Sequence, residues 1–136
     1  MKQGKRVKPK VPIEYRVLIA PRYKERQKET VTIIALRTVN EFTNFHYEIV
    51  VSPEISDHTI KLNILGLRAP QITLPGSGPA TFEAEYKNLN GQYNIIISKL
   101  DRAENHFSVV ISNERITVEE SPKNTFVEIV TSEKEW

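Results

Sequence analysis

Much of this chain alternates apolar and polar residues with a period of two. Residues 81–86 read Thr-Phe-Glu-Ala-Glu-Tyr, and residues 93–98 read Tyr-Asn-Ile-Ile-Ile-Ser. Successive side chains of a β-strand point to opposite faces, so these segments each present an apolar face that must be buried. The pattern therefore predicts an all-β fold.

Similar short segments recur through the sequence, and no segment has a helical pattern. We predict about nine strands, near residues 15–19, 31–38, 45–51, 60–64, 81–86, 93–98, 107–112, 115–119 and 125–131. We expect Pro21 to end the first strand and the charged segment 22–29 to be a loop or the solvated part of a long hairpin. The β-branched residues on both faces of segment 31–38 predict a central strand. Segment 70–79, rich in Pro and Gly, is predicted to be an irregular crossing.

Length and composition limit the protein class. A chain of 136 residues can form one domain with its own core. We interpret residues 1–12 as a basic flexible tail and residues 13–136 as a single β-sandwich domain. The sequence has no cysteine, which excludes disulfides, thiolate metal sites and a cysteine nucleophile. It lacks the run of about 18 apolar residues that a membrane helix needs, so we expect no membrane insertion.

The amino terminus does not settle the compartment. Residues 1–6 are basic, but no apolar segment follows them, so the sequence as given has no signal peptide. We expect a cytoplasmic protein if this is the natural start, and a secreted or periplasmic one if an upstream signal was removed.

Residues 89–93, Leu-Asn-Gly-Gln-Tyr, lie between two alternating segments. They resemble the tyrosine corner of immunoglobulin-like and fibronectin type III-like β-sandwiches. In that motif a Tyr at the start of strand F returns its hydroxyl to the backbone just upstream. The resemblance implies an antiparallel sandwich of about 7–9 strands with a hydrogen-bonded Tyr93. Segments 81–87, 93–99 and 106–112 would then be strands E, F and G.

The resemblance is to the wider fold and not to a specific family. The cysteine pair of antibody domains is absent, and the single tryptophan, Trp136, is terminal instead of lying on strand C. Closure of the strands into a small β-barrel is the alternative architecture.

The net charge of +2 is unevenly distributed. Residues 1–30 contain ten Lys or Arg and three Glu, whereas the remainder contains nine basic and fourteen acidic residues. Basic side chains at the amino end can neutralise phosphates without reading sequence. The candidate polyanion contacts are Lys5, Arg6, Lys8, Lys10, Arg22, Lys24, Arg26 and Lys28. No recognition helix or RNA-binding motif accompanies them.

No motif for catalysis or metal binding is present in the sequence. His46, His58 and His106 lack the spacing of metal ligands. Residues 76–78, Gly-Ser-Gly, match neither a nucleophile elbow nor a phosphate-binding loop. We therefore expect no catalytic residue, no metal site and no cofactor.

The sequence thus predicts a non-catalytic interaction or structural module, alone or as part of a larger protein. We expect it to recognise a protein partner or a neighbouring domain through loops or edge strands. The candidate contact elements, chosen for their expected exposure, are segments 22–28, 52–58 and 70–79. Binding of nucleic acid or another polyanion through the basic amino end is the alternative. The oligomeric state stays open.

Overall fold

The structure is a computed structural model that describes residues 12–69, 76–100 and 103–136. Its strands are β1 (Tyr15–Lys24), β2 (Glu29–Phe42), β3 (Glu48–Ser56), β4 (Thr59–Arg68), β5 (Gly78–Tyr86), β6 (Gly91–Ser98), β7 (Glu104–Ile111), β8 (Ile116–Glu120) and β9 (Val127–Val130). The last strand is followed by a 3-10 turn, Glu133–Glu135. The all-β prediction is confirmed. Among the described residues no helix is long and apolar enough to cross a membrane.

All nine strands belong to one sheet, in the order β8-β7-β6-β4-β3-β5-β2-β1-β9. Val17 of β1 and Val109 of β7 share one buried core, although their strands lie six positions apart in this order. In a flat sheet, with about 4.8 Å between strands, they would be about 29 Å apart. The sheet therefore curls until its two halves face each other across the core. The halves are joined by a single bridge between Glu48 on β3 and Thr81 on β5.

The sheet is mixed, whereas the resemblance to immunoglobulin-like sandwiches implied an antiparallel arrangement. β1 pairs with β9, β3 with β5 and β4 with β6 in parallel, and the other neighbours are antiparallel. The chain leaves β4, passes through β5 in the other half of the sheet and returns as β6. Such a crossover brings the chain back in its original direction, which makes the pair parallel.

Strand β1 is longer than predicted. Pro21 does not end β1, because the strand continues to Lys24 with Pro21 opposite Thr32. On its other side β1 pairs with β9 only as far as Leu18. Pro21 thus has an unpaired edge, where a missing N–H removes no sheet hydrogen bond. The prediction of a long hairpin for the charged segment 22–29 is confirmed, with residues 25–28 as its turn.

The predicted crossing at 70–79 ends earlier than expected. β5 begins at Gly78 and includes Pro79, which lies opposite Glu41 of β2. Here the β2–β5 pairing shifts register, and the Thr38 hydroxyl accepts a hydrogen bond of 2.9 Å from the Ala80 N–H. Residues 70–75 of the predicted crossing lie outside the described residues.

β2 is a central strand, as predicted, because it is buried on both faces. Ile34 and Leu36 point into the core between the halves of the sheet. Ile33 and Ala35 point to the outer face, where they are equally inaccessible. They belong to a second apolar cluster that also contains Leu18, Ala20, Val31 and Val130 and packs against Trp136.

Residues 132–136, here called the C-terminal latch, lie over this second cluster. The Trp136 carbonyl accepts a hydrogen bond from Arg16 Nη1 at 3.3 Å, and the Arg37 guanidinium lies 5.6 Å from the Trp136 ring centroid. Arg22 forms an ion pair with Glu133. The latch therefore buries an outer face that would otherwise be exposed to water.

Removing the Trp136 ring should uncover part of the second cluster. We expect Trp136→Ala to lower the free energy of unfolding by about 2 kcal/mol, through lost apolar burial. Urea denaturation measures this change. The control is Glu135→Ala on the same turn, whose side chain is exposed and should change stability by less than about 0.5 kcal/mol. Equal effects of the two substitutions would contradict the role of the latch.

Tyr93 is buried, with 7% of its surface exposed, and its ring lies 5.0 Å from the ring of His58. Residues 89–93 lie where the chain crosses between the two halves of the sheet, since β5 pairs with β2 whereas β6 pairs with β4 and β7. Gly91 begins β6 with a φ of +110°, a conformation that favours glycine. However, the Tyr93 hydroxyl has no hydrogen bond to any described residue. The bond that the resemblance implied is therefore not found in this part of the chain.

The Tyr93 hydroxyl should contribute little to stability. We expect Tyr93→Phe to change the free energy of unfolding by less than about 0.5 kcal/mol, because no hydrogen bond is lost. In contrast, Tyr93→Ala should cost about 3 kcal/mol or more, because it leaves a cavity in the core. Both values can be measured by chemical denaturation. A loss of about 1 kcal/mol or more in the Phe variant would instead indicate a hydroxyl hydrogen bond, as in a tyrosine corner.

Candidate functional site

The structure divides the predicted basic contacts into three groups. Lys5, Arg6, Lys8 and Lys10 lie outside the described residues. Arg22 pairs with Glu83 as well as Glu133, and Lys24 Nζ lies 2.7 and 2.9 Å from the two carboxylate oxygens of Glu85. The hydrogen bond to Glu133 raises the pKa of Arg22. These two cations are therefore already neutralised by carboxylates.

Arg26 and Lys28 form the third group. Both are exposed in the turn of the β1–β2 hairpin, and neither has an ion-pair partner among the described residues. Lys28 has a φ of 53°, which closes the turn. They are the two predicted contacts in the described chain that can meet a ligand without first breaking an ion pair.

The three histidines lie apart from one another. The His46 ring packs against Gly76 and Gly78, so closely that a Cβ on either glycine would lie within 2.9 Å of a ring atom. His58 packs beside Tyr93, and His106 Nε2 lies 3.1 Å from Glu104 Oε1. In the described ranges no three His, Cys, Asp or Glu side chains are grouped as metal ligands.

The most distinctive surface is where the curled sheet stops short of closing. β8 and β9 are the two outermost strands, and each has one edge that no described strand covers. A groove of about 320 Å³ lies between them, here called the seam groove. Its lining residues are Ile13, Phe107, Val118, Ser121, Thr125, Val127, Glu128 and Ile129.

The walls of the seam groove are apolar and fixed by the core. Phe107 and Val127 belong to the buried core, while Val118 and Ile129 pack against it and remain half-exposed. Ile13 adds an exposed apolar side chain to the lining. The groove thus offers rigid apolar contacts next to unpaired strand edges.

Two polar contacts hold the β9 edge in position. Buried Asn105 on β7 accepts a 2.9 Å hydrogen bond from the Phe126 N–H through its side-chain oxygen, which fixes the chain just before β9. Glu128 on β9 binds Arg16 on β1 at 2.8 Å. The β9 edge is therefore anchored to both sides of the seam.

The rim of the seam groove is acidic. Glu119 and Glu120 are exposed on β8, where Glu119 is the extra residue of a β-bulge, and neither has an ion-pair partner among the described residues. Glu128 on β9 is exposed but paired with Arg16. Natural edge strands are commonly protected by lysine, proline or a covering loop. Here the bulge, the short strands and the carboxylates protect the edges from pairing with other strands. The carboxylates would still attract a basic ligand.

The other predicted contact elements contribute less to a site. Segment 52–58 forms the exposed tip of the β3–β4 hairpin, with Asp57 at a φ of 51° in its turn. Sequence reasoning did not identify the seam groove. The strands at 115–119 and 125–131 were predicted, but their position at the two ends of the sheet depends on long-range pairing that no local pattern encodes.

Comparison with models of known protein families, with curated proteins and with solved structures found no match. The resemblance of residues 89–93 to the tyrosine corner of immunoglobulin-like sandwiches therefore stays a prediction.

Glu104 provides a test of the electrostatics on the outer face of β4, β6 and β7. The hydrogen bond to His106 and the nearby Lys61, 3.3 Å away, lower the pKa of the Glu104 carboxyl. The contacts of the Glu104 carboxylate stabilise the folded state at pH values above the carboxyl's pKa in the unfolded chain. This stabilisation is lost as the pH falls through the lowered pKa of the folded state.

We expect an NMR titration to show that His106→Ala or Lys61→Gln raises the pKa of Glu104 toward its ordinary value. The control substitution is Lys87→Gln, whose side chain pairs with Glu29 instead. An unchanged Glu104 pKa in both test variants would refute the hydrogen-bonded cluster.

Proposed function

We propose that this protein is a non-catalytic binding module that takes up an extended peptide segment of a protein partner at the seam groove. The observation that carries the proposal is the pair of uncovered edges, β8 and β9, on either side of one apolar groove. An extended peptide can add to such an edge, where backbone hydrogen bonds supply affinity and alternate side chains supply specificity.

The groove walls favour apolar residues at every second position of the peptide. Alternate side chains of an added strand point to the same face. On the inner face they would meet Val127, which belongs to the core, and Val118 and Ile129, which pack against it. Preorganised contacts of this kind reduce the ordering cost of binding.

The charge of the rim favours basic residues at the remaining positions. Side chains that point away from the groove would pass near Glu119 and Glu120, which have no ion-pair partner among the described residues. Complementary charges increase the association rate and reject unsuitable partners. The proposed ligand is therefore an extended peptide in which apolar and basic residues alternate.

Polyanion binding through the basic amino end has less support. Arg22 and Lys24 would have to give up their glutamate partners, which leaves Arg26 and Lys28 among the described basic contacts. We expect no measurable binding to random-sequence DNA at about 20 mM salt, where such contacts are strongest. Fluorescence anisotropy with labelled DNA tests this, and salt-sensitive binding would favour the polyanion function.

The peptide proposal can be tested by selecting a displayed library of random 12-residue peptides against the full chain. We expect the selected peptides to alternate apolar and basic residues. Synthetic versions are then N-methylated at one or the other set of alternate positions. Alternate N–H groups of an added strand face opposite edges. A peptide paired with one edge should therefore lose at least about tenfold in affinity from one set only, and a peptide paired with both edges should lose it from each set.

Substitutions in the groove locate the binding site. We expect Val118→Glu and Ile13→Glu each to weaken peptide binding at least about tenfold, by placing a charge against apolar peptide side chains. The control is Ile55→Glu, which alters an exposed isoleucine on β3 that does not line the seam groove. Unfolding midpoints show whether each variant is folded.

Three results contradict the proposal: no peptide is selected, neither N-methylated set loses affinity, or the groove variants bind as the control does. Concentration-dependent self-association that Val118→Glu abolishes would identify a second copy as the occupant, which also overturns the assignment to a separate partner.

A further inference from the structure

A second cleft lies at the turn end of the β1–β2 hairpin and shares no lining residue with the seam groove. This cleft, here called the hairpin-end cleft, has a volume of about 650 Å³. Three connections contribute to it, between β1 and β2, between β5 and β6, and between β7 and β8. Its lining residues are Tyr23, Lys28, Glu29, Thr30, Lys87, Asn88, Leu89, Asn90 and Asn113. The volume falls within the range of about 300–1,000 Å³ typical of small-molecule sites.

Tyr23 gives the cleft an exposed aromatic ring. On β1 it continues the series of inward residues Val17 and Ile19, but it lies beyond the end of the core. The side chain is consequently 60% exposed. A large ring left uncovered at the mouth of a cleft provides an apolar face on which a flat ligand can stack.

Three asparagines provide the polar groups of the cleft. The side chains of Asn88, Asn90 and Asn113 are exposed, and none forms a hydrogen bond with a described residue. Each amide can both donate and accept hydrogen bonds. Sugar hydroxyls also do both, so a cleft that contains free amides and an aromatic ring offers partners for the hydroxyls and for the apolar face of a pyranose.

The charge of the cleft adds a preference for an acidic ligand. Lys87 is paired with Glu29 at 3.0 Å, whereas Lys28 has no carboxylate partner in the described structure. Arg26 and Glu25 lie in the same turn as Lys28, and their opposite charges leave the charge of Lys28 as the excess. The cleft therefore has an uncompensated positive charge next to its hydrogen-bonding groups.

We infer that the hairpin-end cleft binds an acidic oligosaccharide, with a sugar ring stacked on Tyr23 and a hexuronate carboxylate near Lys28. A site that recognised only negative charge would need several unpaired cations, and it would have no use for an aromatic ring. This inference is independent of peptide binding at the seam groove, since the two sites have no residue in common.

The test is calorimetric titration of the full chain with three tetrasaccharides: galacturonate, mannuronate and hyaluronan oligomers. We expect saturable binding of at least one of them, and binding at least about fivefold weaker when its carboxylates are methyl-esterified. Tyr23→Ala should weaken binding of the acid and of the ester at least about tenfold, through loss of stacking.

The lysine variants separate specific recognition from bulk charge. We expect Lys28→Ala to reduce binding of the acid to the level of its ester and to leave ester binding unchanged. Lys123→Ala, which removes an exposed lysine between β8 and β9, is the matched control and should have no effect. Both lysines are exposed, so neither substitution should affect folding.

The inference is overturned if none of the three acids binds or if Tyr23→Ala has no effect on binding. It is also overturned if inorganic polyphosphate displaces the saccharide completely and itself binds the Tyr23→Ala variant normally, because the site would then recognise only negative charge. Binding of selected peptides at the seam groove is measured separately, so failure of one site leaves the other result unaffected.

Discussion

The arrangement of this protein depends on the burial of β2 on both faces. One face contributes Ile34 and Leu36 to the core between the halves of the sheet, and the other packs Ile33 and Ala35 under the C-terminal latch. A strand buried on both faces needs neighbours on both edges and a layer above and below it. β1 and β5 occupy its edges, the curled remainder of the sheet forms one layer, and Trp136 with its surrounding arginines covers the other side.

The same curl accounts for the two candidate sites. Because the sheet curls without closing, its two end strands approach each other across a groove in place of a further hydrogen-bonded pair. Because β1 and β2 extend beyond the core, Tyr23 and Lys28 stand at the mouth of a cleft formed with two other connections. Neither site needs a specialised insertion, since both follow from where the strands begin and end.

Local pattern in the sequence predicts the parts of the fold that depend on local physics. Alternation identified the strands, and the β-branched residues of segment 31–38 indicated its burial on both faces. The strand boundary at Pro21 was wrong, because proline is harmful only where its missing N–H faces a partner strand. Arg22 and Lys24 looked like free cations, since their carboxylate partners Glu83 and Glu85 lie 61 residues away in sequence. Pairings over such distances, and the sheet edges that they leave, have no signature in a single sequence.

The single bridge between β3 and β5 affects how the molecule responds to cooling. Within each half of the sheet the strands are joined by ladders of several residues. Between β3 and β5 the described residues form one bridge, Glu48 with Thr81, beside which the Thr81 N–H donates a 3.2 Å hydrogen bond to the Tyr47 carbonyl. The packed core therefore supplies most of the cohesion between the halves. The stabilisation that apolar burial provides weakens on cooling. The line between β3 and β5, like the seam between β8 and β9, should therefore open more readily in the cold than the ladders within each half.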